Sequence, residues 1–145
     1  MIPEFDRATG NLPPGVHDAT WNEVKTRFGN SPRRKRLLRG LEQALRQLAA
    51  AGCISVLLNG SFVTAEAEPN DYDGAWETKG VDPDLLDEVL LDFSNARSAM
   101  KKKYGGELFP AGSPAAPGKT FREFFQQDRE GRPKGIVRID PKGVR

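Results

Sequence analysis

The chain has little sulfur or imidazole chemistry to offer: among 145 residues there is one cysteine, Cys53, and one histidine, His17. A single cysteine excludes an internal disulfide and suits a reducing compartment. Cys53 lies in an apolar stretch and reads as a small core residue rather than a nucleophile. His17 reads as structural or solvent-facing. Their scarcity excludes a Cys/His zinc cluster and a His-dependent serine or cysteine triad. No G-x-x-x-x-G-K-[ST] run is present, which excludes a P-loop nucleotide site. Long apolar stretches are missing as well. The longest apolar-leaning run, Leu48 to Leu58, is far too short for a membrane span, and Glu4, Asp6 and Arg7 stand where a signal peptide needs an apolar core. A cytoplasmic protein without membrane contacts is expected. Charge of one sign is lacking too: 22 Lys and Arg face 20 Asp and Glu, and a net charge of +2 does not by itself imply nucleic acid.

The apolar fraction of 37% and charged fraction of 29% are those of a folded globular chain. One domain over residues 1–145 is expected, opened by an extended arm over 1–17 whose prolines and glycines keep it out of an interior helix or central strand. Thr20 to Glu23 has the form of a capping box and opens a short helix ending at Gly29. Ser31 and Pro32 start the strongest helix, with Leu37, Leu41, Leu45 and Leu48 at helical spacing and a stop at Ala51-Gly52. Its polar face carries Arg33, Arg34, Lys35 and Arg36. These read first as a solvated face and second as a contact for an RNA phosphate backbone. Cys53 to Leu58 predicts a central strand, and a second strand runs from Asp71 to about Glu77. A helix opening at Asp82-Pro83 is predicted, with Leu85, Leu86, Val89, Leu90 and Phe93 on its apolar side. Another helix spans Ser94 to Tyr104; its closing lysines, Lys101 to Lys103, complement the helix dipole. Glu107 to Phe109 predicts a short strand and Ala111 to Gly118 a flexible loop. Thr120 to Glu123 forms a second capping box, and Gly135 to Ile139 a last strand. In the basic tail Lys134 and Arg138 stand out. This alternation predicts a small α/β (α+β) domain with a mixed sheet of roughly four or five strands.

The chemistry concentrates where the central strand ends. Asp71 and Asp73 are two apart, so on a strand both carboxylates leave one face, roughly 6.5 Å apart along the chain, within reach of a shared metal ion. Gly60 and Ser61, just past the apolar run, offer backbone N–H groups and a hydroxyl to an anion. Glu107 opens a later strand. If that strand lies beside the Asp71–Asp73 strand, three carboxylates converge and either hold a proton or bind a cation. Oxygen-only ligands select Mg²⁺ or Mn²⁺.

The run Leu58-Asn59-Gly60-Ser61 followed by Asp71-Tyr72-Asp73 resembles the signature of the DNA polymerase beta-like nucleotidyltransferase superfamily. The wider pattern adds Leu12 to Gly15 ahead and Gly106 to Pro110 behind, and is similar to a branch of minimal nucleotidyltransferases, some relatives of which act in bacterial toxin–antitoxin systems. The resemblance implies that Gly60 and Ser61 hold the triphosphate of an NTP. It also implies that Asp71 and Asp73 bind two Mg²⁺ ions, and that Glu107 helps bind one ion and activates the acceptor hydroxyl. The activity implied is transfer of an NMP to an RNA (tRNA) end or a protein hydroxyl, with a cognate toxin or antitoxin as a further partner. The alternative is a non-catalytic nucleotide- or partner-binding module of the same fold. It is favoured by a glutamate at position 107, where the superfamily mostly has aspartate, and by Gly74 directly after Asp73.

Overall fold

The computed structural model describes residues 1–144. Five strands form a mixed sheet: β1 (Gly15–Asp18), β2 (Val56–Asn59), β3 (Tyr72–Trp76), β4 (Gly106–Pro110) and β7 (Gly135–Ile139), in the order β1-β7-β2-β3-β4. β2 is antiparallel to both β3 and β7, whereas β4 runs parallel to β3 and β1 parallel to β7. The fold is a small α+β domain, as the alternating pattern predicts.

Period-2 alternation sends each strand's side chains to two different cores. On one face Val56, Leu58, Tyr72, Trp76, Leu108, Val137 and Ile139 meet the helices α1 (Trp21–Phe28), α2 (Pro32–Ala50) and α3 (Ser94–Tyr104). On the other face Leu57, Ala75 and Ile136 pack with Phe109, Phe121 and Phe125 under a smaller cap. That cap consists of the ribbon β5 (Pro114–Ala116) and β6 (Lys119–Thr120) and the one-turn helix α4 (Phe121–Phe124). The apolar stripe of α2 is completely covered: Leu41, Ala44, Leu45 and Leu48 are each 0% exposed. Burying these side chains stabilises the fold by about 1.5–3 kcal/mol for each leucine before entropy is counted. Both capping boxes form, Thr20 with Glu23 and Thr120 with Glu123. Gly40 lets α2 approach α3 closely, since a Cβ there would sit 2.1 Å from the Tyr104 carbonyl oxygen.

Several sequence expectations need correction. The segment after Asp82 is not one helix but two 3₁₀ turns, Pro83–Leu85 and Glu88–Leu91. Asp82 and Asp87 each accept the N–H two residues on, a local bond that competes with helix. Leu85, Leu91 and Phe93 accordingly remain exposed. The 111–118 loop contains β5 of the ribbon. The N-terminal arm is not merely laid on the surface. Ile2 and Leu12 are buried, and Gly15 to Asp18 pair with β7 as an edge strand, a position that tolerates the prolines just ahead of it. Gly74 marks close packing inside the sheet, because a Cβ would lie 2.6 Å from Leu108. Cys53 is buried, where its thiol donates to the Ser55 carbonyl at 3.4 Å and burial raises its pKa. His17 contacts the Pro13 carbonyl at 2.6 Å, a structural role.

Candidate functional site: an acidic cluster at the end of β3

The condition on which the three carboxylates depended is met. β4 lies against β3, with Asp73 paired in register to Glu107. Asp73 and Glu107 therefore point to the same face, and Asp71, two residues before Asp73, joins them. Asp71, Asp73 and Glu107 each bring a carboxylate oxygen within 4.8 Å of the others. Like charges that close repel by roughly 3–4 kcal/mol per pair at an effective dielectric near 20. The repulsion registers in the acidities. Asp73 is pushed up to about 7, first by burial and then by the charges of Asp71 and Glu107, with Lys134 and Lys101 opposing. Asp71 is raised as well, chiefly by burial and then by Glu107.

The turn after β2 is built around Asp73. Asn59 pairs with Asp73 across the antiparallel ladder, and Gly60 adopts φ +85° directly beside the carboxylate. A Cβ at Gly60 would lie 2.7 Å from an Asp73 carboxylate oxygen, so the glycine is required both by the backbone and by the acid. Ser61 then opens a short 3₁₀ turn, Ser61–Val63. A buried guanidinium holds this loop from below. Arg34 donates to the carbonyls of Phe28 at 3.3 Å, Phe62 at 2.6 Å, Thr64 at 3.0 Å and Glu66 at 2.5 Å.

Part of this site borders a cavity of about 920 Å³. Its walls include Asn59, Gly60, Ser61, Asp71 and Asp73, then Phe124, Arg129 and Lys134 from the cap side, and Gly10 and Asn11 from the N-terminal arm. The arm is fixed there by the Ala65 N–H donating to the Gly10 carbonyl at 2.9 Å. Lys134 is depressed by burial, an effect that the charge of Asp73 partly offsets. The Asn59 side-chain oxygen is buried without a hydrogen-bond partner. Such an orphan acceptor in a polar cavity marks a place for a donor, whether water or ligand.

The chemistry of this donor set fits a hard cation: three carboxylates, with no nitrogen or sulfur ligand. One feature opposes it. Glu107 has its two oxygens engaged by Arg97 at 3.0 Å and Lys101 at 3.1 Å. Arg97 reaches it from a left-handed turn in which Asn95, Ala96 and Arg97 have φ of 50°, 55° and 62°.

Of the residues singled out from sequence, Gly60, Ser61, Asp71, Asp73 and Glu107 come together at one site. The basic run divides. Arg33, Lys35 and Arg36 are exposed, but Arg34 is only 2% exposed and its guanidinium is spent on backbone carbonyls. Arg34 is therefore withdrawn as an RNA contact. Helical rotation of about 100° per residue, with the Ser31 cap fixing the phase, turns it inward. Lys134 belongs to the site, whereas Arg138 pairs with Asp18 at 2.6 Å away from it. Lys101 and Lys103 do more than complement a dipole, for each holds a carboxylate, Glu107 and Asp87 respectively. Sequence reasoning missed Asn59, Phe124, Arg129, Arg97 and the arm. Only Asn59 carried a usable signal, as a polar residue ending an otherwise apolar strand.

The chain belongs to a family of unknown function (DUF6932), whose model matches residues 3–140. No curated protein and no solved structure matches the chain. Among the described residues no helix is long and apolar enough to cross a membrane.

Proposed function

We propose that the protein is a Mg²⁺-dependent nucleotidyltransferase that moves the NMP of an NTP to a hydroxyl acceptor. The observation that carries the reading is the meeting of Asp71, Asp73 and Glu107 beside the Gly60–Ser61 turn, at a cavity that also offers Lys134 and Arg129. Asp71 and Asp73 would hold the ions, with Glu107 as the third ligand. The ions, when bound, supply electrostatic stabilisation of the α-phosphate and lower the pKa of the attacking hydroxyl. In the transfer the acceptor oxygen forms a bond to the α-phosphorus and the bond from that phosphorus to the β-phosphate oxygen breaks. Pyrophosphate leaves, and the hydroxyl proton passes to the carboxylate cluster. Gly60 and Ser61 would seat the β- and γ-phosphates, Lys134 and Arg129 would neutralise them, and exposed Phe124 offers a face for a base.

A second reading is favoured by the two cations on Glu107: a nucleotide-binding module that does no chemistry. The two separate in one experiment. Purified protein, Mg²⁺, total tRNA and each NTP labelled at the α- or γ-phosphate are incubated beside Asp71→Ala/Asp73→Ala and Glu107→Gln. The enzyme transfers α-label only, and both variants lose transfer by roughly 10³-fold or more. Full transfer by the double-alanine variant refutes the catalytic reading. Nucleotide binding without transfer, unchanged in Glu107→Gln, selects the module.

A further inference from the structure

We infer that the acceptor is a phosphodiester chain with a free terminal hydroxyl, and that it reaches Asp71 through a second cleft adjoining the nucleotide cavity. The inference rests on the nucleotidyl-transfer reading for the reaction at Asp71, while the cleft's affinity for a polyanion is independent of it. This cleft, of about 440 Å³, is lined by Arg33, Arg36, Leu37, Lys101 and Gly105. It shares two residues with the 920 Å³ cavity, Asn70 and Asp71. Asn70 and Asp71 thus belong to both openings.

In-line displacement at phosphorus keeps the attacking oxygen apart from the departing pyrophosphate, and two adjoining clefts offer the acceptor and the NTP separate approaches. The nucleotide's phosphates have their partners in the larger cavity, so the acceptor is left with the smaller one. The smaller cleft has its unpaired positive charge at Arg36, because Arg33 and Lys101 are already paired with Glu68 and Glu107. Three of its side chains are basic and its one carboxylate is Asp71. Leu37 and the stems of the basic side chains give the cleft apolar walls, while a phosphate backbone would find cations at helical i, i+3 spacing, which an uncharged peptide could not use. Arg33 is anchored at the rim, contacting Glu68 at 3.2 Å and the Asn70 side-chain oxygen at 3.1 Å. Arg36 has no carboxylate partner among the described residues and is exposed. The neighbouring cation Lys35 lines a different cleft, with Trp21 and Glu42. Of four successive basic residues, two face the reaction, one anchors the loop and one faces away.

The contrast between Arg36 and Lys35 gives the test. Binding of a 5′-labelled single-stranded RNA with a free 3′-hydroxyl is followed by fluorescence anisotropy over a salt series. Wild type, Arg36→Glu and Lys35→Glu are compared, and Mg²⁺–ATP binding is measured on the same samples. Both variants change net charge equally. Arg36→Glu is expected to weaken RNA binding on the order of tenfold and to flatten the salt slope by roughly 0.7 for each phosphate that the arginine no longer neutralises, with ATP binding unchanged. Lys35→Glu should stay within about twofold of wild type. Equal weakening in the two variants overturns the cleft. So does a wild type that binds ATP but not RNA, or one that labels a protein acceptor instead. An Arg36-specific effect in a protein that binds no nucleotide keeps the polyanion cleft and removes the transfer reading.

Discussion

Replacing Asp73 with asparagine should stabilise the metal-free protein at neutral to alkaline pH, although it removes an ion from the middle of the site. Asp73 rises from an ordinary 3.8 to about 7 on folding, from burial first and the neighbouring acids second. The native state therefore binds a proton more tightly than the unfolded chain. Between these two values the native state carries one more proton, and stability falls by about 1.4 kcal/mol for each pH unit as pH rises. The full interval corresponds to about 4 kcal/mol. Water reaching a carboxylate that is not fully enclosed roughly halves this, leaving about 2 kcal/mol. Asparagine keeps the shape and stays neutral. Its cost is the missing attraction to Lys134, which is the smaller effect because burial of Lys134 already outweighs the help of Asp73. In EDTA at pH 8 the variant should be more stable than wild type by about 2 kcal/mol, or roughly 4–8 °C in Tm. At pH 5 the difference should shrink strongly. Mg²⁺ at about a hundred times its Kd should raise wild-type stability by about 2.7 kcal/mol and leave the variant nearly unmoved. Urea denaturation at both pH values, with EDTA and with Mg²⁺, measures all of these quantities. A variant equally destabilised at pH 5 and pH 8 in EDTA would refute the reasoning, since Asp73 would then be a satisfied ion-pair partner and not a strained member of a cation site.

Two further substitutions probe the frame around the cluster. Gly60→Ala forces a side chain into the left-handed region and against the Asp73 carboxylate, so it should cost about 1–3 kcal/mol and reduce Mg²⁺–ATP binding, read by denaturation and calorimetric titration. Arg34→Met leaves four carbonyls without their donor and should cost about 3–5 kcal/mol in urea denaturation, with Lys recovering little because an ammonium cannot span the same four acceptors; a cost under about 1 kcal/mol would mean the loop is held otherwise.

The parts of the fold that depend on local periodicity were legible in the sequence. α2 announced itself through its leucines, its Ser31-Pro32 start and Gly52, and both capping boxes form as read. The acid trio was legible up to a condition, that the strand of Glu107 lie beside that of Asp73, and strand neighbours are set by long-range packing that spacing alone does not encode. The 82–93 segment misled because its leucines match a helical pattern while Asp82 and Asp87 divert the backbone into local turns. The ribbon of β5 and β6 and the edge strand β1 were hidden for a different reason: short strands rich in proline and glycine take their order from what they pack on. Arg34 was misread because composition counts cations without phase. Only the helix's angular position decides which of four basic neighbours enters the core.

The choice of glutamate at position 107 follows from the same geometry. In register with Asp73, its side chain contributes an oxygen to the acid cluster and has both oxygens engaged from α3 by Arg97 and Lys101. An aspartate, one methylene shorter, would have to give up part of that reach. Three acids and three cations, Arg97, Lys101 and Lys134, thus surround one point, yet Asp73 remains raised. The offset is incomplete because the cations are divided: two are held at Glu107, and Lys134 stands on the side of Asp73 that opens to the large cavity. The unmet negative charge is therefore concentrated between Asp71 and Asp73, at the wall the two clefts share. A divalent cation would relieve the most repulsion there, with Glu107 joining as third ligand while still held from α3. This is why Asp71 and Asp73, more than Glu107, should govern the response to Mg²⁺.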